Sequence, residues 1–95
     1  MAALIDVAKR QLGYTNADEQ GEELIRDLLD EGKSFLGRFC KDIDFETEFD
    51  VRGLLIEYVR YAMSNARDDF RQNYRKELIS LSDRGRVRNA LIQKE

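Results

Sequence analysis

Apolar residues recur along most of this chain at steps of three and four, which is the spacing of one face of an α-helix. The first such face consists of Leu4, Ile5, Ala8 and Leu12. Gly13 follows it, and glycine tolerates the left-handed conformation in which helices commonly end. The pattern predicts a first helix over residues 2–12.

The second apolar face is the longest in the chain and predicts a helix that Thr15 or Asn16 can cap. Its members are Leu24, Ile25, Leu28, Leu29, Phe35, Leu36 and Phe39. Gly32 lies within this face. Because a glycine inside a helix costs up to ~1 kcal/mol relative to alanine, its presence indicates that another helix approaches closely there.

The segment KDIDFETEFD, residues 41–50, alternates acidic with apolar residues and separates the second helix from the third. This pattern is typical of a solvated connector or of a short extended segment that is apolar on one side. It does not fit a calcium-binding loop, because Thr47 stands where that loop requires glycine and Gly53 where it requires glutamate. Asp50 can cap the next helix.

A third helix is predicted from about Val51 to Arg71, and a fourth follows through residues 73–82, either continuous with the third or bent near Asn73. A second apolar row lies ~60–120° around the third helix from its main apolar face. This row consists of Ile56, Met63, Phe70 and Tyr74. It fits a helix sandwiched between two neighbours in one small core, or an exposed strip that marks a protein interface.

The composition supports an all-α fold, since the chain has no proline, no Asn-Gly or Asp-Gly dipeptide and few β-branched residues. We expect a small bundle of three to four helices over residues 1–83, with the acidic connector inside it. Residues 84–95 are basic and contain few apolar side chains. We therefore expect them to form a flexible C-terminal arm that is disordered before it binds a partner.

The charge of the chain is unevenly distributed. Residues 1–50 carry six Lys and Arg against thirteen Asp and Glu, a net of −7, whereas residues 51–95 carry ten against six, a net of +4. This polarity is either simple surface solvation or a means for one subunit's acidic side to face its neighbour's basic side. No signal peptide and no run of ~20 apolar residues is visible, so no membrane partner is expected.

Residues suited to catalysis are scarce. The chain contains no histidine and a single cysteine, Cys40, which removes the commonest general base and the usual zinc sites. The GKS tripeptide at residues 32–34 ends like a phosphate-binding loop, but Asp27 stands where that loop requires a glycine. We expect no enzyme activity, no cofactor and no metal, and a packing role for Cys40.

A small helical DNA-binding or regulatory protein is an alternative that the residues leave open. The basic stretch from Arg84 to Lys94 can neutralise phosphates. Against this reading, the isoelectric point is near 5.1, and the acidic connector is too long for the turn of a helix-turn-helix motif.

The stretch RGLLIEYVRYAMSNARDDFRQNYRKELISLS, residues 52–82, resembles the head–tail connector (adaptor) proteins of tailed bacteriophages. The resemblance is carried by an Arg-x-Leu-Leu start, a Tyr-x-Arg-Tyr centre at residues 58–61, the Asn65–Ala66 pair, and Phe70 before a leucine-rich helix. Upstream, LIRDLLDEGKSFLGRF is similar to the second helix of that family, so the resemblance covers about residues 20–88.

The resemblance implies a structural connector subunit that forms a ring of about twelve copies under the portal vertex and extends the DNA channel. Its implied partners are other copies of itself, the portal protein and a downstream head-completion or tail protein. DNA would pass through the ring without sequence-specific binding. The implied location is the head–tail junction of the virion, reached from the host cytoplasm during assembly.

Two different patches of each subunit must meet in such a ring. For one patch we expect the strip of Ile56, Met63, Phe70 and Tyr74. For the opposite patch we expect the acidic residues Asp27, Asp30 and Glu31. Docking of the arm on the portal is expected to use Arg84, Arg86, Arg88, Leu91 and Ile92.

Overall fold

The computed structural model describes residues 3–93, which form five α-helices and contain no β-strand. The helices are α1 (Leu4–Leu12), α2 (Glu19–Leu36), α3 (Phe49–Met63), α4 (Arg67–Asn73) and α5 (Arg75–Gln93). The all-α class is confirmed, with one helix more than the upper number expected. The additional helix arises because the predicted third helix is divided in two.

The ends of α1 and α2 are set by local hydrogen bonds. Gly13 ends α1 in the left-handed conformation (φ 81°), and the Tyr14 N–H donates to the Lys9 carbonyl at 2.7 Å, as the sequence predicted. The predicted cap of α2 was wrong, because the Asp18 carboxylate accepts the Gly21 N–H at 2.8 Å. Asp18 is the better cap since its charge also faces the positive end of the helix dipole.

The core lies mainly between α2 and α3, and Gly32 marks where they come closest. A β-carbon at residue 32 would lie 2.6 Å from Leu55 Cδ1 and 3.0 Å from Tyr58 Cδ1, both on α3. The close approach predicted from this glycine is therefore confirmed. The α3 side chains that fill the core include Val51, Leu54, Leu55, Tyr58, Val59 and Ala62.

The break between α3 and α4 contradicts the single helix expected through Arg71. Asn65 adopts a positive φ of 54°, and the Ala66 N–H donates to the Tyr61 carbonyl at 2.8 Å. Asparagine enters the left-handed region more readily than most residues, so it can end a helix as glycine does. The chain bends again at Tyr74, next to the predicted bend at Asn73.

The segment between α2 and α3, residues 37–48, is called the connector below. It consists of turns, so the extended segment considered for it is not formed. Asp44 and Glu48 close one of these turns, since the Asp44 N–H donates to the Glu48 carboxylate and the Glu48 N–H donates to the Asp44 carbonyl, each at 2.8 Å. The N-cap of α3 is consequently Glu48, whereas Asp50 lies in the first turn.

Candidate assembly surfaces

The strip expected to be an exposed interface is largely part of the core. Ile56 is 1% exposed and Phe70 is 0% exposed, while Met63 and Tyr74 are half-buried against the core. The aromatic rings of Phe35, Tyr58, Tyr61 and Tyr74 surround Phe70, with centroids 4.9–6.1 Å away. The expectation of an exposed strip was wrong, because α4 packs against α3 and buries Phe70 beside Tyr58 and Tyr61. The interpretation of α3 as a helix sandwiched between neighbours is the one confirmed, since α3 packs against α1, α2 and α4.

The acidic side of α2 divides into engaged and free carboxylates. Glu31 accepts two hydrogen bonds from the Arg67 guanidinium, at 2.7 and 3.0 Å, and a third from the Tyr58 hydroxyl. These donors, Arg67 first, lower the pKa of Glu31 from its ordinary value. Burial, and then the bond to Glu31, raises the pKa of Tyr58. Glu31 thus joins α2 to α3 and α4.

Asp27 and Asp30 are exposed, as is Glu23 on the same side of the helix. None of the three forms an ion pair with a cationic side chain in the described part of the chain. Together they are called the acidic face below. Leu24 borders this face and is 50% exposed, although the sequence placed it in the buried stripe of α2.

Residues 84–93 belong to α5, so the flexible arm expected there was wrong over the described residues. Arg84 donates to Asp50 at 2.6 Å and to Glu48 at 3.3 Å. Arg88 donates to Glu48 and to the carbonyls of Lys41 (3.2 Å) and Asp42 (3.4 Å). Arg84 and Arg88, which were expected to be free cations, therefore join α5 to the connector and to the start of α3.

The electrostatics of this contact follow from its donors. The Asp44 N–H, and after it the guanidiniums of Arg88 and Arg84, lower the pKa of Glu48. Arg84 is the main cause of the lowered pKa of Asp50. Both carboxylates are thus held in the ionised form that the arginines need.

Gly85 makes this contact possible and was missed in the sequence. A β-carbon there would lie 2.4 Å from the carbonyl oxygen of Phe39 and 3.0 Å from the Cα of Cys40. Only glycine lets α5 rest directly on the connector backbone at this point. An isolated glycine between arginines at positions 84 and 86, in a helical pattern, was the available signal.

The outer side of α5 beyond Gly85 remains apolar and accessible. Val87 is 61% and Leu91 is 63% exposed, and their spacing of four places them on one side of the helix. Arg86 is exposed and pairs with Asp83 in the preceding turn. Ile92 lies in α5, but its side chain is outside the described part of the structure.

A groove of about 480 Å³ lies where α2, α4 and α5 meet. Its residues are Phe35, Arg38, Phe39, Arg71, Arg75, Leu78, Ile79 and Ser82. The floor is apolar, the rim carries three arginines, and the Arg71 guanidinium lies 5.3 Å from the centre of the Phe35 ring. This feature was also missed, although Arg71, Arg75 and Ile79 follow one another at steps of four.

Over residues 3–93, no three His, Cys, Asp or Glu side chains converge in a way that could hold a metal ion. Within the same range, no helix is both long and apolar enough to cross a bilayer. Cys40 is buried against the core and is not in a disulfide.

The chain matches no known protein-family model, and neither a characterised protein nor a solved structure is significantly similar to it.

Proposed function

We propose that this protein is a structural head–tail connector (adaptor) subunit of a tailed phage or prophage. In this proposal the subunits form a ring under the portal, extend the DNA channel and join the head to the tail-completion proteins. The protein acts by assembly at the virion head–tail junction and not by catalysis. The all-α fold agrees with the resemblance, which names the family on residues 52–82.

The main support for the proposal is the exposed apolar surface at the C-terminal end of α5, where the helix is held against the connector. Its last turns present Val87 and Leu91 to solvent while Arg84, Gly85 and Arg88 hold the same turns against the connector. Exposed apolar side chains on an anchored helix are typical of a protein-docking surface, because little ordering entropy opposes binding. We assign this end of α5 to contact with the portal.

The alternative of a DNA-binding regulator loses its main support. Arg84 and Arg88, which suggested phosphate contacts, are engaged by carboxylates of the same chain, and Arg86 is paired with Asp83. A guanidinium that is already paired with a carboxylate gains less free energy from binding a phosphate, because the existing ion pair must first be broken. No other observation in residues 3–93 favours sequence-specific DNA recognition.

Co-purification with the portal protein of the same phage tests the proposed docking. We expect the double variant Val87→Asp, Leu91→Asp to lose portal binding while keeping its helical content, because the substitutions face solvent. Tyr14→Asp is the control, since Tyr14 is 46% exposed in the turn between α1 and α2 and is not next to the residues that anchor α5. Equal portal binding by the double variant and the wild type would contradict the assignment of this surface.

A further inference from the structure

The groove between α2, α4 and α5 combines two features that a solvated surface does not need. Its floor contains Phe35 and the half-exposed side chain of Ile79, and its rim carries Arg38, Arg71 and Arg75. None of these three arginines forms an ion pair with a carboxylate in residues 3–93. The groove therefore offers three arginines without a carboxylate partner beside apolar side chains, with the Arg71 guanidinium lying against the Phe35 ring.

The acidic face of α2 offers the complementary set. Glu23, Asp27 and Asp30 follow one another at steps of four and three, so they align along one side of the helix. They are likewise free of ion pairs within the described chain, and the exposed Leu24 borders them. Three carboxylates beside one apolar side chain match three arginines around an apolar floor in both charge and hydrophobicity.

We propose that the groove binds the acidic face of α2 of a second copy of this chain, with Leu24 of that copy entering the groove. This inference rests on the proposed function and identifies the contact between neighbouring subunits. It also replaces the strip of Ile56, Met63, Phe70 and Tyr74 as the expected interface, because Ile56 and Phe70 are buried in the folded subunit.

The two patches lie on different parts of each subunit. Asp27 is eight residues from Phe35, which places them ~80° apart around α2 and ~12 Å apart along it. One copy can therefore use its acidic face and its groove at the same time, toward two different neighbours. Such a heterologous contact continues from subunit to subunit and closes into a ring when the rotation allows it.

A second copy fits the groove better than a nucleic acid does. Duplex backbones would satisfy the arginines but would leave the apolar floor without a partner, because their exposed groups are phosphates and sugars. A second copy supplies carboxylates and an apolar side chain together. It also pairs carboxylates from the acidic half of the chain with Arg71 and Arg75 from the basic half.

Charge reversal tests the pairing. We expect Arg75→Glu and Asp27→Arg each to weaken self-association by about 100-fold, because each turns an attractive contact into a repulsive one. Both residues are exposed, so both variants should keep the wild-type circular dichroism spectrum. Lys76→Glu and Glu46→Arg are the matched controls, since they make the same charge changes outside the two patches and should assemble normally.

Mixing the two variants makes the test specific. Arg75→Glu keeps an intact acidic face and Asp27→Arg keeps an intact groove, and the exchanged charges at residues 75 and 27 also attract each other. An equimolar mixture should therefore recover the assembly that neither variant shows alone. Placing both substitutions in one chain should restore assembly, because the exchanged charges again attract. Assembly is measured by sedimentation velocity and negative-stain microscopy, in solution and on portal rings.

The outcomes separate this inference from the proposed function. Rings that persist in both single variants would overturn the pairing and leave the connector function standing. A two-fold dimer that depends on both patches would support the pairing and overturn the ring. A wild-type chain that stays monomeric in solution and on the portal would overturn both.

Discussion

The aromatic cluster around Phe70 and the contact between α5 and the connector are two ways of joining helices within one small protein. The first buries a complete ring among four other aromatic side chains. The second relies on Arg84 and Arg88 meeting carboxylates and carbonyls around Gly85, with solvent close by. Stabilisation by the burial of apolar side chains is largely independent of salt and pH, whereas stabilisation by contacts between partly exposed charges depends on both.

Substitutions in the two regions should consequently have different effects on folding. Loss of the aromatic cluster removes core and should unfold the whole chain cooperatively. Loss of the α5–connector contact should release the last turns of α5 while the rest of the fold remains. That separation agrees with the proposed connector, in which the core is permanent and the end of α5 contacts the portal.

The largest effect is expected from Phe70→Ala, which should lower the free energy of unfolding by about 3–5 kcal/mol, because it leaves a large cavity in the core. Chemical denaturation measures it. Phe49→Ala is the control and should cost less than about 1 kcal/mol, since that ring is exposed and only lies against Arg52. Similar losses in the two variants would contradict the central place of Phe70.

Gly85→Ala should have the next largest effect, a loss of roughly 1–3 kcal/mol, because the new methyl group would meet the rigid backbone at Phe39 and Cys40. Gly53→Ala is the matched control. It also lies in a helix, but nothing is within 4 Å of the position of its new β-carbon, so it should gain up to about 1 kcal/mol. Opposite signs in thermal denaturation are the expected result; equal signs would show that α5 does not rest on the connector.

Glu48→Gln should cost about 1 kcal/mol and act locally, because the amide keeps the turn with Asp44 but cannot pair as strongly with Arg84 and Arg88. We expect faster amide hydrogen exchange in residues 84–93 and unchanged exchange in α3. Glu46→Gln, in the same connector, should change neither. Faster exchange throughout the protein in Glu48→Gln would mean that the two regions are not separable.

The smallest effect is expected from pH. The pKa values of Glu31, Glu48 and Asp50 are lowered from ordinary values of 4.5 for glutamate and 3.8 for aspartate. The unfolded chain therefore binds more protons, so stability is full above about pH 4.5 and is lost as the pH falls through the folded pKa values. Because these groups are partly exposed, each should contribute less than about 1 kcal/mol. Denaturation midpoints between pH 7 and pH 3 measure it, and a midpoint that rises on acidification would contradict these directions.

Much of the fold could be predicted from the sequence, because the residues that determine its helices act on their own neighbours in the chain. Gly13 ends a helix through its own conformation, and Gly32 signals a close approach through its cost inside a helix. The helical spacing of α1, α2 and α3 needed no knowledge of tertiary structure. The break at Asn65 was local too, but Ser-Asn is a weaker stop signal than glycine or proline.

The surfaces were harder to predict because they depend on contacts between distant residues. Periodicity shows that Ile56 and Phe70 are apolar but not that α4 packs back against α3 with Phe70 in the core. Charge counting likewise shows that Arg84 and Arg88 are basic but not that Glu48, at least 36 residues earlier, neutralises them. The groove joins residues from three helices and the connector, and so exists only in the folded chain.

We propose that this chain works as a repeating structural subunit, and its mass in solution and on portal rings tests that proposal most directly. Multi-angle light scattering over a wide concentration range, with negative-stain images of the largest species, should show rings of about twelve chains of 11.1 kDa. A discrete dimer that shifts duplex DNA in a salt-dependent way, and that forms no ring on the portal, would contradict the account and favour a regulator.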